Sequence, residues 1–251
     1  MDILPTIPDK SVNLILCDLP YGTTAKEWDK LIPIEPLTEQ YNRIITDNGV
    51  ICLFGSEPFS TNLRVANIEN YKYDLIWEKN TSAGFVHAKN RPLKRHENIS
   101  VFSKGSMGHK SLLGARRMVY NPQGLIYKPK THRGALKKFG GVVGKRPSQK
   151  DEFTSEWTNY PTSILKYAKT TGKSLTSTDK PIELLKYLIN TFSNPGDIVL
   201  DNAMGSGSCG VAAIETGRHF IGIELMMDSF DYATKTIEAA IAANINLFNT
   251  Q

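Results

Sequence analysis

Cysteine is scarce in this sequence, and long apolar runs are missing from it. The three cysteines, Cys17, Cys52 and Cys209, are far apart and lie among apolar or small residues, which argues against a disulfide framework and against a zinc site. No apolar run reaches the ~18 residues that a membrane-spanning helix needs, and no charged start with a cleavage site marks a signal peptide. We therefore expect a soluble, cytoplasmic protein with no bound metal.

Acidic residues are nearly missing from one long stretch. Residues 79–150 contain 17 Lys and Arg but a single acid, Glu97, whereas the rest of the chain has 13 basic and 24 acidic residues. This segregation favours a phosphate-backbone partner over a uniformly solvated surface. Basic side chains interleaved with aromatic ones could hold the backbone and contact bases. The candidates for these contacts are Arg91, Lys94, Arg95, Arg116 and Arg117.

The hydrophobic pattern predicts alternating strands and helices, which is typical of a parallel sheet. Strands are predicted at residues 12–17, 50–54 and 73–77, with helices at 35–46 and 58–68. The pattern breaks at Lys79, and we interpret residues 80–174 as an insertion outside the main sheet, to which a strand near residues 98–103 could return. A flexible solvated loop is the alternative, although so long a loop is unusual inside a compact domain.

Regular structure resumes at Lys180-Pro181 and leads to a glycine-rich turn. A predicted strand at 198–201 ends in Asp201, the turn contains Gly205 and Gly207, and the strand at 219–224 ends in Glu224. This is the order of a nucleoside-binding βαβ unit, in which the acid accepts hydrogen bonds from ribose hydroxyls. No basic residue lies close to the turn to pair with phosphates, so S-adenosylmethionine, with its amino group and ribose, fits better than a dinucleotide. A purely structural glycine turn is the alternative.

The first predicted strand ends in Asp18-Leu19-Pro20-Tyr21. A carboxylate and a neighbouring carbonyl that accept both N–H bonds of an exocyclic amino group would aim its lone pair outward. Pro20 fixes the direction of the carbonyl before it, and the ring of Tyr21 offers a face on which a flipped base can stack. A simple turn at the end of a strand is the other interpretation.

Asp18-Leu19-Pro20-Tyr21 resembles the Asp-Pro-Pro-Tyr motif of the DNA amino-methyltransferases, with Leu in place of the first Pro. Asp201-Asn202-Ala203-Met204-Gly205-Ser206-Gly207 is similar to their Asp-Pro-Phe-x-Gly-x-Gly turn, with two departures. The order of acceptor motif, basic insertion and cofactor turn resembles the permuted class often called the beta class. Phe54 and Trp77-Glu78-Lys79-Asn80 also look like the strand ends beside the base pocket of that family.

The resemblance implies an α/β, Rossmann-like S-adenosylmethionine-dependent methyltransferase fold with a mainly parallel sheet. Residues 1–79 would be the catalytic half, 80–174 the target-recognition insertion and 175–251 the cofactor-binding half. Asp18, Leu19, Pro20 and Tyr21 would be catalytic. The residues that would hold the cofactor are Asp201, Asn202, Met204, Gly205, Gly207, Glu224, Thr178 and Lys180.

The function that follows is site-specific methylation of adenine N6 in double-stranded DNA by base flipping, in a bacterial or phage-infected cell. A restriction–modification enzyme or a phage-borne enzyme without a restriction partner is the expected setting, and a homodimer is open because the class often forms dimers. Adenine is preferred to cytosine N4 because the N4 members more often begin the motif with Ser. RNA or protein amide methylation is a further alternative.

Two departures leave a catalytically decayed DNA-binding homologue open as a partner subunit. Thr176-Ser177 stands where the family commonly has His-Pro ahead of Thr178. Family members usually begin some ten residues earlier, which suggests that Met1 is an internal start. Reduced cofactor affinity is the expected consequence of either departure.

Overall fold

A computed structural model describes residues 2–23, 26, 29–108, 113–133, 152–169 and 179–249. The strands in these ranges are β1 (Val12–Cys17), β2 (Ile45–Gly55), β3 (Tyr71–Ala83), β4 (Lys94–Phe102), β5 (Ile126–Arg133), β6 (Glu152–Thr158), β7 (Ile164–Lys166), β8 (Ile198–Asp201) and β9 (His219–Gly222). The helices are α1 (Ile34–Ile44), α2 (Phe59–Ala66), α3 (Ile182–Phe192), α4 (Ser208–Glu215) and α5 (Met227–Asn249). Within the described part of the chain, no helix is both long and apolar enough to cross a membrane.

Seven strands form one sheet in the order β7-β3-β4-β2-β1-β8-β9. Only β4 runs antiparallel to its neighbours among these described strands. The predicted α/β class with a mainly parallel sheet is therefore confirmed.

Helices cover both faces of this sheet because β1 is apolar on both sides. Leu14 and Leu16 pack into a core with the apolar side chains of α3 and α4. Ile15 and Cys17 point the other way, into a second core that α1 and α2 complete. A strand buried on both faces reads as a continuous apolar run, which is why β1 was predictable from sequence.

The strand order reverses at β1, which pairs with β2 on one side and with β8 on the other. The carboxyl ends of β1 and β8 therefore open side by side at a topological switch point, where open α/β sheets bind their ligands. Asp18 follows β1 directly, and Asp201 is the last residue of β8. Two segments 183 residues apart in the chain thus reach the same edge, which we call the ligand edge.

The hairpin of β3 and β4 extends beyond the ligand edge. The last pair between β2 and β4 is Gly55 with Asn98, whereas β3 and β4 stay paired as far as Ala83 with Lys94. The sequence predicts an insertion outside the main sheet for residues 80–174, but β4 lies inside this sheet and β7 pairs with β3. The apolar half of β4 is buried between β2 and β3. It corresponds to the strand that the sequence predicts near residues 98–103.

The chain divides into two compact units, residues 1–121 with 163–251 and residues 122–162. The second unit contains the antiparallel pair β5 and β6. Aromatic rings meet across this pair, with Tyr127 and Trp157 edge to face at 5.2 Å and His132 stacked on Phe153 at 4.8 Å between centroids. These ring contacts hold the two strands in register.

Candidate active site

One pocket of about 380 Å³ opens at the ligand edge, a volume typical of small-molecule sites. Its walls come from both ends of the sequence. Asp18 and Tyr21 line it from the loop after β1, and Gly205 and Glu224 line it from the loops after β8 and β9. The two motifs predicted separately from sequence therefore share one cavity.

Asp18 lies in this pocket with both carboxylate oxygens hydrogen-bonded. The Tyr21 hydroxyl donates to Oδ1 at 2.7 Å, and the Lys180 ammonium donates to Oδ2. Burial, together with the Asp18 carboxylate, raises the pKa of Tyr21 well above its usual value, so this phenol stays protonated. The loop that follows is fixed by Asp29, which accepts hydrogen bonds from the backbone N–H groups of Gly22 and Thr23 at 2.8 and 2.9 Å.

Lys180 was predicted to hold the cofactor, and the structure places its ammonium group against Asp18. The side chain is only 8% exposed and lies 3.3 Å from Glu97 Oε2 as well as against Asp18. The ammonium also faces the ring of Phe54, at 5.1 Å from its centroid. Burial alone would lower the pKa of Lys180, but the carboxylates of Asp18 and Glu97 outweigh burial and raise it.

Glu97 is a pocket residue that sequence reasoning did not assign to the site. It lies opposite Trp77 in the pairing of β4 with β3, and its other oxygen accepts a hydrogen bond from Lys79. Burial would raise its pKa, but the two lysines lower it below the ordinary value. The sequence does contain one indication of its importance, because Glu97 is the one acid between residues 79 and 150.

These four charged side chains form a cluster with no net charge, and we call Asp18, Glu97, Lys79 and Lys180 the charge cluster. The aromatic wall behind it is the edge-to-face pair of Phe54 and Trp77, whose centroids are 6.4 Å apart. Buried charges are tolerated only when they are paired in this way. The cluster therefore fixes the position of the Asp18 carboxylate in a partly dry pocket.

The glycine turn after β8 forms the other wall. Gly205 and Gly207 have φ values of +52° and +83°, and a Cβ on Gly207 would lie 3.0 Å from Ala233. Glu224 secures the turn, because its carboxylate accepts hydrogen bonds at 2.9 Å from the backbone N–H groups of Gly205, Leu225 and Met226. This acid thus shapes the pocket as well as facing it.

Asn202 and Met204 of the same turn are also held from behind. The Tyr41 hydroxyl of α1 donates to the side-chain oxygen of Asn202. Met204 is buried, and its backbone N–H donates to the Ile223 carbonyl at 3.1 Å. Both residues line the pocket, and their predicted role of holding the cofactor stays a prediction.

Asp201 is buried beneath the glycine turn, and desolvation raises its pKa to about 7 although the Ala203 N–H donates to it at 3.1 Å. Because the folded state keeps this proton up to a higher pH than the unfolded chain does, stability should fall as pH rises from about 4 to about 7. We predict that Asp201→Asn raises the melting temperature at pH 8, by about 2–4 °C for each kcal/mol recovered.

Thermal melts at pH 5, 6, 7 and 8 test this prediction, and the gain should shrink toward low pH. Asp231→Asn, on the exposed side of α5, is the matched control and should show no such trend. A gain in the Asp201 variant that is equal at every pH would contradict it.

The predicted DNA contacts fall in two places. Arg91 lies in the turn of the β3–β4 hairpin, and Lys94 and Arg95 begin β4, so all three lie beyond the ligand edge. Arg95 Nε donates to the Lys79 carbonyl at 3.0 Å, and Lys94 donates to the Ser56 hydroxyl. Arg95 thus contacts Lys79, which lines the pocket, and the three basic residues lie on the hairpin that begins there.

Arg116 and Arg117 lie elsewhere, because β4 reverses direction and carries the following segment to the opposite edge of the sheet. The nearby Val119 N–H donates to the carbonyl of Asn48, which lies toward the start of β2.

Thr178, the remaining predicted cofactor residue, lies outside the described residues, as do Thr176 and Ser177. Within the described ranges, no group of three or more His, Cys, Asp or Glu side chains could hold a metal ion.

The chain resembles known proteins over most of its length. A family model described as DNA methylase, for N6 and N4 methyltransferases, matches residues 12–235. The chain is 28% identical over 239 residues to the type II methyltransferase M1.MboII of Moraxella bovis, covering 89% of this chain and 88% of that protein. It is 28% identical over 259 residues to the DNA adenine methyltransferase YhdJ of Escherichia coli (strain K12), covering 94% and 80%.

A solved structure, the complex of M1.HpyAVI with SAM, matches with a TM-score of 0.58 at 23% identity and covers 94% of both chains. This likeness confirms the predicted methyltransferase fold. The family match includes both the Asp18 loop and the glycine turn with Glu224, the two walls of the pocket. The chain therefore belongs to the DNA methylases, the family of N6 and N4 amino-methyltransferases that its motifs resemble.

Proposed function

We propose that the protein transfers a methyl group from S-adenosylmethionine to N6 of adenine in double-stranded DNA. The observation that carries the proposal is a pocket that both the Asp18 loop and the glycine turn line. The name of one relative, the DNA adenine methyltransferase YhdJ, favours adenine over cytosine, and Asp rather than Ser at position 18 agrees with it. DNA in the cytoplasm of a bacterial or phage-infected cell would be the substrate.

The acceptor wall would activate a poor nucleophile. The exocyclic amino group of adenine has its lone pair delocalised into the ring, and Asp18 with the Leu19 carbonyl would accept its two N–H bonds and aim the lone pair outward. Each Asp18 oxygen accepts one internal hydrogen bond and has a further lone pair, so the amino group can donate to the carboxylate while Tyr21 and Lys180 hold it in place. Tyr21, behind Pro20, would present its ring to the flipped base.

The donor wall fits S-adenosylmethionine, which supplies a methyl group activated by its sulfonium charge. Glu224 would accept hydrogen bonds from the ribose hydroxyls, and Asp201 would face the amino group. Gly205 and Gly207 let a ligand approach the backbone. Asn202 and Met204 would complete this wall, and Thr178 and Lys180 remain proposed parts of it. No Lys or Arg lies in the turn from Asp201 to Gly210, so a phosphate-bearing cofactor fits less well.

Glu224→Ala should weaken cofactor binding by roughly 10- to 100-fold, because hydrogen bonds to a charged acceptor contribute about 1.5–3 kcal/mol each. The substitution removes the acceptor for the Gly205 N–H as well as the proposed ribose contact. Isothermal titration calorimetry with S-adenosylmethionine measures the effect. Glu215→Ala, at the end of α4, is the control, and equal affinities of the wild type and the Glu224 variant would contradict the assignment.

DNA would be held by Arg91, Lys94 and Arg95 beyond the ligand edge, and we propose target recognition for residues 80–174. A homodimer is a further proposal that follows from the class alone.

The function is tested with tritiated S-adenosylmethionine and unmodified duplex DNA, followed by digestion to nucleosides. Label should appear in N6-methyladenine. Label in N4-methylcytosine would replace adenine by cytosine as the target, and transfer only to RNA or protein would reject DNA as the substrate. Cofactor and DNA binding without transfer would support the decayed homologue instead.

A further inference from the structure

We infer that the turn between β3 and β4 is a wedge that enters the DNA duplex where the target base has left the stack. Residues 84–93 form this turn, which we call the hairpin tip, and Phe85 and Val86 are its inserting side chains. The inference rests on the proposed function, and it assigns a role to apolar side chains that the proposed chemistry does not use.

The hairpin tip belongs to the same structural unit as the pocket and begins at its wall. Trp77, Lys79 and Glu97 line the pocket, and they lie at the root of the hairpin. From Lys79 the strand continues to Ala83 past the end of β2. β4 runs three residues from Glu97 to Lys94, so at about 3.3 Å per residue the paired hairpin extends about 10 Å beyond the root before the tip begins.

Two neighbouring apolar side chains are fully presented at this tip. Phe85 is 70% exposed and Val86 is 91% exposed. The turn that carries them is internally hydrogen-bonded, since His87 N–H donates to Gly84 O at 2.9 Å and Ala88 N–H donates to Phe85 O at 3.0 Å. A hydrogen-bonded turn presents the two side chains with less ordering cost than a loose loop would.

Charge identifies the occupant as a polyanion with an apolar interior. Residues 79–96 contain five Lys or Arg and two His but no acid. Lys89 and Arg91 are exposed on the tip itself. In duplex DNA, apolar stacked base pairs lie between two rows of phosphates. The exposed apolar side chains of the tip match the base pairs, and the cations beside them match the phosphates. An anionic membrane also combines negative charge with an apolar interior. Membrane binding would not explain why the hairpin begins at the wall of the proposed base pocket, whereas DNA binding does.

The wedge would lower the cost of base flipping. Extruding a base from a duplex leaves its neighbours unstacked, and an inserted apolar side chain fills that gap. Removing the wedge should therefore slow methylation where the base must be flipped and have little effect where the base is already unpaired. This dependence on the substrate separates a wedge from a residue that only supports the fold.

The test compares Phe85→Ala/Val86→Ala with wild type in single-turnover methylation of two oligonucleotide duplexes. Both contain a site that the wild type methylates, and in the second the target adenine is opposite an abasic position. We expect a loss of about 10- to 100-fold on the paired duplex and a rate close to wild type on the second. The fluorescence of 2-aminopurine at the target position should rise less with the variant than with wild type.

Val65→Ala/Ile68→Ala is the matched control, because these two side chains, in the last turn of α2 and just after it, are similarly exposed, at 68% and 61%. It should behave as wild type on both duplexes, and equal melting temperatures of all three proteins exclude a folding effect.

An unchanged rate of the Phe85/Val86 variant on the paired duplex, or an equal loss on both duplexes, would overturn the wedge alone. The wedge would also be overturned if the Phe85/Val86 variant lost binding to phosphatidylglycerol vesicles while its methylation rates stayed unchanged. A wild type that transfers no methyl group to any DNA would overturn the proposed function and the wedge with it.

Discussion

Asp18→Ala is expected to lower kcat for methyl transfer by at least about 10²–10³-fold while changing the cofactor Kd only a few-fold. The reason is the position of Asp18, which lies on the proposed acceptor side of the pocket. In the described part of the chain, its carboxylate is hydrogen-bonded to Tyr21 and Lys180 and not to the glycine turn. Steady-state methyl transfer combined with calorimetry separates the two effects. A uniform weakening of substrate binding would appear in KM instead.

Asp47→Ala is the matched control, since it removes an exposed carboxylate whose partner is Lys10 near the opposite edge of the sheet. It should leave both kcat and Kd unchanged. Loss of cofactor binding in the Asp18 variant, with kcat unaffected at saturation, would reverse the assignment of the two walls.

Lys180→Met is expected to have the second largest effect, because it leaves the carboxylates of Asp18 and Glu97 together in the pocket without their shared cation. Breaking a buried ion pair on one side typically costs about 3–5 kcal/mol of unfolding free energy. At about 2–4 °C per kcal/mol, the melting temperature should fall by roughly 10 °C. Thermal melts measure the effect, and methyl transfer should also be strongly reduced.

Glu97→Gln in the Lys180→Met background should recover part of the loss, because it removes one of the two opposed carboxylates. Lys186→Met is the control, since the contacts of Lys186 with Glu183 and Glu215 lie near the surface and should be worth under about 1 kcal/mol. Equal costs for Lys180→Met and Lys186→Met, or no recovery in the double variant, would contradict the charge cluster.

Sequence reasoning reached the two walls of the pocket because their signals are local. An apolar run that ends in Asp18, and a strand that ends in Asp201 before two glycines, can each be recognised within ten residues. The switch-point rule then brings the two strand ends together. The predictions of the Asp18 loop and of the glycine turn depend only on residues that are close together in the sequence, so one sequence is enough to make them.

The parts that sequence reasoning missed depend on long-range pairing. Lys94–Glu97 begin β4 with four charged or polar residues, so the strand looked shorter and its place between β2 and β3 was not visible. Glu97 and Lys180 are 83 residues apart, and nothing in either local sequence predicts their contact. The reversal at β4 also explains why Arg116 and Arg117 lie away from the other predicted DNA contacts.

The most direct measurement is the affinity of a bisubstrate ligand in which N6 of adenosine is joined by a short alkyl chain to the amino acid-bearing adenosyl donor. If one pocket holds donor and acceptor, this ligand should bind more tightly than the donor alone. Asp18→Ala and Glu224→Ala should then each weaken its binding in calorimetry. An affinity equal to that of the donor alone and indifferent to Asp18→Ala would contradict a shared pocket.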